Sequence, residues 1–425
     1  MAVCGVYSGH RRHIFQSCER FANHLPGQFG LKRRGLHRFQ IPWVERFWKD
    51  HCHNGHHKEA DKNFNRRIAI SMIYIDGSHM EGGGQILRTA LALSTLTRQP
   101  FVIEKIRRNR PRPGLKAQHL CCLDALKQMA AAKVQNAQLG APKLSFHPQS
   151  VVSGKRILDI GTAGSIALLL QSLLLPCMFA DGAVKLDITG GTDTKWSIPA
   201  DYFAYVILPF LNKFATVEIN EIRRGFYPKG RGRLELTITP RFCLNHFKNF
   251  DAFFAHVRNN VSPVQLFLQP QLDHIEGRSV ASFQLKDAGV AERQADGAAH
   301  VLGDRYSLKI ENKYVQTASV GTVITLWAVS RQGIVFMGAD ALGEKGRRAE
   351  AVGAAAADRM LNLLKSDAAV DSHLADNLIP LMALCGGQVK TEKITGHIRS
   401  NIYVCEEFLG AGFRIQEKEN VVIAE

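Results

Sequence analysis

Glu81 with the three glycines that follow it, His397, and the arginines between Arg107 and Arg112 are the residues of this sequence best suited to phosphate chemistry. Glu81 lies in Ile75-Asp76-Gly77-Ser78-His79-Met80-Glu81-Gly82-Gly83-Gly84-Gln85, where a short apolar strand runs into a turn. Beyond the turn Ile86, Leu87, Ala90, Leu91 and Ser94 share one helical face by their three- and four-residue spacing. Backbone N–H groups left bare at a helix start can meet phosphate oxygens, and a carboxylate beside them can ligate the cation that accompanies a polyphosphate. A turn whose glycines serve only the backbone fits the same letters.

His397 follows Thr395-Gly396 and opens a segment in which Ile398, Ile402, Cys405 and Leu409 line one helical face. At a helix N-terminus the positive end of the macrodipole disfavours imidazolium, and a neutral imidazole is a nucleophile. A packed or capping histidine is the competing reading. The segment Ile106–His119 carries Arg107, Arg108, Arg110, Arg112 and Lys116. Pro111 and Pro113 are expected to hold it extended, so that its guanidinium groups project from a fixed edge toward a phosphate; a solvated basic loop is the alternative. Gly161-Thr162-Ala163-Gly164-Ser165 is a second small-residue turn before an apolar run. Arg224-Gly225-Phe226-Tyr227-Pro228-Lys229-Gly230-Arg231-Gly232 reads equally as a nucleotide-contacting loop or as a hairpin.

The elements that must position these residues form repeated α/β units. Strand, turn and helix recur from Ile73, from Ile157 and from Lys185, the last entering a helix near Asp201–Lys213. Between about 256 and 368 the pattern changes to short strands (Leu266–Leu268, Ser282–Leu285) and alanine-rich helices (Ala291–Val301, Gly343–Lys365). The expected fold is therefore α/β: a large catalytic domain of three repeated units over 70–255 and 369–425, with a smaller α/β domain inserted at 256–368.

A chain of 425 residues, 45% hydrophobic and without an apolar run long enough to span a bilayer, is expected to bury a large core and to have no membrane partner. Its nine cysteines have no regular spacing, which favours a reducing compartment: the cytoplasm, or the nucleus in a eukaryote. The formal charge of +16 is uneven, because residues 1–70 hold thirteen Lys and Arg against five Asp and Glu, with eight of the 17 histidines. Residues 1–69 read as a basic, His-rich, disordered extension, and the cluster His51–His57 as part of that tail instead of a metal site.

Taken in order, these segments resemble the RNA 3′-terminal phosphate cyclases. The resemblance rests on Ile75-Asp76-Gly77-Ser78-x-x-Glu81-Gly82-Gly83-Gly84-Gln85-Ile86-Leu87-Arg88, on Pro113-Gly114-Leu115-x-x-Gln118-His119 and on Gly161-x-Ala163-Gly164-Ser165. It continues through Gly190-Gly191-Thr192-Asp193 with Pro199-Ala200-Asp201, Gly225-Phe226-Tyr227-Pro228, His373-Leu374-Ala375-Asp376 and His397-x-x-x-Asn401. It implies that His397 attacks the α-phosphorus of ATP to form enzyme–AMP. AMP then passes to an RNA 3′-phosphate, and the 2′-hydroxyl displaces it to leave a 2′,3′-cyclic phosphate. By the same matching Glu81 binds Mg²⁺ or Mn²⁺. Arg88, Arg107, Arg110, Gln118 and His119 meet the RNA end and its phosphates, while Gln171, Pro199 and His373–Asn377 (His373, Leu374, Ala375, Asp376, Asn377) form the ATP pocket. Asn377 stands where the family usually has glutamine, Arg231 interrupts a glycine triplet, and Ser400 replaces a threonine. Two alternatives share the fold: catalytically inactive cyclase-like ribosome-assembly factors, against which His397 and Glu81 argue, and enolpyruvyl transferases, which lack the Glu-Gly-Gly-Gly-Gln and His-x-x-x-Asn pair.

Overall fold

The structure, a computed structural model, describes residues 72–425. The expected basic extension and its histidine cluster lie outside the described residues.

The α/β class expected from the sequence is found, and the repeat is more regular than its letters suggest. The first unit runs β1 (Ile73–Asp76), α1 (Gln85–Thr97), β2 (Phe101–Glu104), α2 (Ala117–Ala130), β3 (Lys133–Gln135) and β4 (Leu144–His147). Its sheet order is β1-β2-β4-β3, with β1 and β2 parallel and the other pairs antiparallel. The second unit repeats that plan: β5 (Gly154–Asp159), α3 (Ile166–Cys177), β6 (Val184–Gly190), a helical segment over residues 200–211, β7 (Ala215–Arg223) and β8 (Gly232–Pro240), in the order β5-β6-β8-β7. Residues 203–207 of the helical segment form a π turn, in which the Leu208 N–H reaches back to the Phe203 carbonyl. Pro209 follows directly and has no N–H to continue an α-helical ladder.

Helix α4 (Phe250–Asn260) and β9 (Val264–Leu266) lead into a third unit, which the chain leaves to build a smaller sheet. That sheet comprises β10 (Leu272–Ser282), β11 (Leu308–Val315), β12 (Thr322–Ser330) and β13 (Val335–Leu342) in the order β11-β10-β12-β13, with helices α5 (Val290–Leu302) and α6 (Ala349–Lys365). The chain then resumes with α7 (Ser372–Cys385), β14 (Gly387–Lys390), α8 (Gly396–Leu409), β15 (Phe413–Gln416) and β16 (Val421–Ala424). The third sheet has the order β15-β16-β14-β9, the same connectivity as the first two.

Four readings are corrected. The strand read at Leu266–Leu268 of the smaller domain lies at Val264–Leu266, pairs in parallel with β14 and opens the third unit. The repeat read from Lys185 is the second half of the second unit. Ser282 ends a strand and residues 283–285 form a 3₁₀ turn. The helix read from Gly343 begins at Ala349, because the chain first passes Gly346 at φ +84°.

One continuous apolar core runs through the three units, and the smaller sheet has its own, built from Ile275, Ile324, Leu326, Phe336, Met360 and their neighbours. Helix α1 is buried along its whole length, so its polar residues have to be satisfied inside the protein. The smaller sheet is tied on by polar contacts. Arg278 of β10 donates to Asp201 Oδ1 (3.0 Å) and to the Tyr205 hydroxyl (2.9 Å), and Tyr205 stacks on Trp327 at 4.3 Å. Asp371, the N-cap of α7, accepts from the Gly338 N–H of β13 (2.9 Å) and from the Tyr202 hydroxyl (2.6 Å).

Candidate active site

The chemically suited residues cluster where helices of the three units begin. Thr395 caps α8 by accepting the Ile398 N–H at 3.2 Å, which sets His397 in the first turn. His397 Nε2 lies 3.0 Å from Glu81 Oε2, and the other Glu81 oxygen pairs with Arg110. Gly396 leaves room for this approach, since a β-carbon there would sit 3.3 Å from Glu81 Cβ. Burial first, with Arg88 and Arg110 adding to it and Asp376 opposing, pushes the His397 imidazole below the ordinary histidine value. The ring is thus neutral near pH 7, the direction that the helix-end argument also expects, with desolvation the largest of the causes named. Facing a carboxylate, neutral His397 carries its proton on Nε2, and Nδ1 is buried without a hydrogen-bond partner. For Nε2 to act as a nucleophile, Glu81 would have to turn to another partner and the proton to sit on Nδ1.

The glycine run does more than bend the chain. A β-carbon at Gly82 would meet the Asn109 amide at 2.5 Å, one at Gly83 the Arg110 guanidinium at 2.9 Å, and one at Gly84 both His119 Nε2 at 2.7 Å and Arg88 Nη1 at 2.8 Å. Arg88, Arg110 and His119 thereby lie directly against the backbone beside Glu81. His119 Nδ1 accepts the Lys116 N–H at 3.0 Å, so its neutral ring turns an Nε2–H toward Gly84. Burial, then the charges of Arg88, Arg107 and Lys116, lower its pKa to about 3. Gln118 donates to the Ser165 carbonyl at 3.0 Å, which joins the first unit to the Gly161–Ser165 turn of the second.

The basic segment is not extended. The Arg108 N–H bonds to Lys105 O and the Arg110 N–H to Arg107 O, both at 3.1 Å, because successive turns satisfy backbone groups that an extended edge would leave bare. Arg107, at φ +55°, turns its guanidinium onto the carbonyls of Arg112 (2.6 Å) and Gly114 (3.2 Å) and clamps its own loop.

Behind these groups Arg88 Nε donates to Gln171 Oε1 (2.8 Å), and Gln171 Nε2 lies 3.4 Å from Asn377 Oδ1. Gln171, Asp376 and Asn377 line one cavity of about 70 Å³ together with Ile198, the residue before Pro199. His373 faces a different cavity, of about 460 Å³, with Asp340 and Arg359, while Leu374 and Ala375 pack into the core. The run 373–377 is thus divided among three environments.

Two buried polar networks were not assigned roles from sequence. Asn401 accepts from Gln85 Nε2 (3.1 Å) and Thr89 Oγ1 (2.6 Å) and donates to Asp376 O (2.9 Å), locking α1, α7 and α8 together beneath His397. Its four-residue spacing from His397 was the available signal. Arg224 donates to Asp193 Oδ1 at 3.0 Å and also to Asp201, fixing the two ends of the turn that carries Pro199. Among the described residues no group of three or more His, Cys, Asp or Glu gathers into a preformed cation site. Glu81 offers one carboxylate, which suits a hard cation that takes its other ligands from phosphates and water.

A family model described as RNA 3′-terminal phosphate cyclase matches residues 79–415. Curated proteins bearing that same description are similar to this chain. The one from Archaeoglobus fulgidus is 40% identical over 355 residues, spanning 83% of this chain and 100% of the relative. Those from Pyrococcus furiosus and Pyrococcus abyssi are 39% and 42% identical, spanning 81% and 80% of this chain and 95% and 94% of theirs. No described helix is long and apolar enough to cross a membrane.

Proposed function

The chain belongs to the RNA 3′-terminal phosphate cyclase family, and on that premise we propose that it uses ATP to convert an RNA 3′-phosphate into a 2′,3′-cyclic phosphate through adenylylated His397. The observation that carries this reading is the neutral His397 ring in the first turn of α8, 3.0 Å from Glu81 and beside Arg88 and Arg110. A neutral imidazole nitrogen bonds to the α-phosphorus of ATP as pyrophosphate leaves. An oxygen of the RNA 3′-phosphate next displaces histidine from that phosphorus, and the adjacent 2′-hydroxyl closes on the 3′-phosphorus as AMP departs with its oxygen. The positive helix end stabilises the phosphoryl oxygens in the first two steps.

A divalent cation, Mg²⁺ or Mn²⁺, would be held by Glu81 together with phosphate oxygens and would offset polyphosphate charge. Engaging Glu81 in this way would free His397 Nε2 from its carboxylate partner. Arg110, released from Glu81, would become available to a phosphate. Gln171, Asp376 and Asn377 line the neighbouring cavity and are the nucleotide-facing set; Pro199 follows Ile198 of that lining, and His373 lines a separate cavity. Arg88, Gln118 and His119 complete the RNA-end site, with the His119 Nε2–H a neutral donor. Arg107 contributes mainly by shaping the loop that carries Arg110. The reading is tested with RNA carrying a ³²P-labelled 3′-phosphate. ATP-dependent resistance of that label to phosphatase supports cyclisation, and label that stays phosphatase-sensitive rejects it.

A further inference from the structure

Four large apolar side chains stand out of loops that are hydrogen-bonded or packed against one another. Trp196 is 94% exposed, Tyr227 77%, Val320 56% and Phe283 48%. Isolated exposed apolar residues are ordinary, but a cluster of them carried by neighbouring loops is not. The loop of Trp196 is tied to that of Tyr227 by the Thr192 N–H donating to Gly225 O (3.0 Å) and the Gly225 N–H donating to Thr192 Oγ1 (2.9 Å). The Tyr227 loop is tied in turn to that of Val320 by the Lys229 N–H donating to Ser319 Oγ (3.0 Å). Ser282, next to Phe283, closes the chain of contacts by accepting the Gly321 N–H (2.9 Å). Trp196 has φ +63°, a left-handed conformation unfavourable for a bulky side chain, and it leaves the indole free in solvent.

Cations are interleaved with these rings. Lys286 lies over the Phe283 ring at 5.5 Å, Lys229 is exposed without an acidic partner among the described residues, and Arg231 reaches its nearest carboxylate, Asp159, only at 4.0 Å. The surface is also continuous with the candidate active site. A β-carbon at Gly230 would lie 2.8 Å from Ala163 Cα, so the Tyr227 loop rests on the Gly161–Ser165 turn, and that turn holds Gln118 through Ser165.

We propose that this surface binds the single-stranded RNA that leads to the 3′ end, with Trp196 and Tyr227 as stacking platforms for unpaired bases and Lys229 and Arg231 as backbone contacts. The inference rests on the proposed function for its choice of ligand. Exposed rings alternating with exposed cations, one without an acidic partner among the described residues and one only loosely paired, are the chemistry that holds a flexible strand without reading its sequence. An apolar protein partner would have no use for the two cations, and duplex RNA would present no free base faces to the rings.

The test uses the full chain and a fluorescent, single-stranded RNA of about twelve nucleotides ending in a 3′-hydroxyl, long enough to reach past one stacking site. Because that RNA cannot react, the outcome is independent of whether the cyclisation reading stands. Trp196→Ala with Tyr227→Ala should weaken binding by roughly tenfold or more, as expected for lost base stacking, while Trp196→Phe with Tyr227→Phe should retain most of the affinity. Lys229→Gln with Arg231→Gln should reduce the salt dependence of binding. The thermal midpoint should be unchanged in the alanine pair, since both rings are exposed, which separates lost binding from lost folding. Unchanged affinity in a folded alanine pair, or a loss equally large in the phenylalanine pair, overturns the proposal.

Discussion

Gly84→Ala probes the packing of the site with a single methyl group. The backbone at Gly84 is an ordinary right-handed one, at φ −76° and ψ −11°, so alanine fits the chain and by itself would stabilise the fold by roughly 0.4–1 kcal/mol through the unfolded state. The new β-carbon, however, would lie 2.7 Å from His119 Nε2 and 2.8 Å from Arg88 Nη1, about 0.7 Å inside ordinary contact. Neither neighbour yields easily. His119 is held through Nδ1 by the Lys116 N–H, and Arg88 through Gln171 and Gln85, all within 2.8–3.0 Å. Overpacking of this kind costs roughly 1–3 kcal/mol and outweighs the gain through the unfolded state, so the net loss should be about 1–2 kcal/mol in urea unfolding. The effect on chemistry should be greater still, because displacing positioned groups by nearly an ångström can slow a reaction roughly 100-fold. The assay separates capture of α-labelled ATP from transfer of AMP to a 3′-phosphorylated oligonucleotide; transfer should suffer more if Arg88 and His119 form the RNA-end site, as proposed. Gly83→Ala, which meets only the tip of the Arg110 side chain at 2.9 Å, should be milder. A Gly84→Ala protein that performs both steps at the normal rate would show that the glycine run does not hold these side chains in place.

Glu81→Ala should slow self-adenylylation, and added Mg²⁺ or Mn²⁺ should restore part of the rate; normal labelling at low metal would assign Glu81 to turn structure. Because burial lowers the His397 pKa, this proposed nucleophile stays unprotonated to below the ordinary histidine value of 6.5. The rate of adenylylation should therefore be flat from pH 8 to 6.5 and fall only at lower pH, and an acid limb centred above 6.5 would contradict the burial argument. His119 contributes to stability with the sign of a buried neutral histidine: as pH drops below 6.5 the unfolded chain takes up a proton that the folded one, with its pKa of about 3, refuses. That should cost about 2 kcal/mol by pH 5, and His119→Gln should flatten this part of the stability profile.

Much of the candidate site was legible because its residues sit at strand-to-helix turns, where glycine, Ser, Thr and His leave distinct local signals. Glu81, His397 and the Gly161–Ser165 turn are of this kind, and the helices after them follow from apolar spacing. The threefold repeat was harder to read. Its third copy is interrupted between β9 and α7, and a three-residue strand such as Val264–Leu266 has too little pattern to show which sheet it joins. The role of Arg107 was not visible either, since a guanidinium that clamps its own loop and one that awaits a phosphate have the same letter. The division of residues 373–377 among two cavities and the core follows from helical rotation of about 100° per residue, which places neighbours in sequence on different faces. Asn401 shows the converse. Four residues after His397 it shares that residue's side of α8, yet its hydrogen bonds run to α1 and α7, which no local pattern can specify.

Whether His397 is the residue that takes AMP from ATP can be decided by incubating the full chain with α-labelled ATP and Mg²⁺, without RNA, and mapping the labelled peptide. With His397 as the acceptor, the covalent label should be lost in acid and stable in alkali, as a histidine phosphoramidate is. It should be confined to the peptide containing His397 and absent from His397→Ala. A label on any other residue, or a His397→Ala protein that is labelled as well as the original, would contradict the assignment.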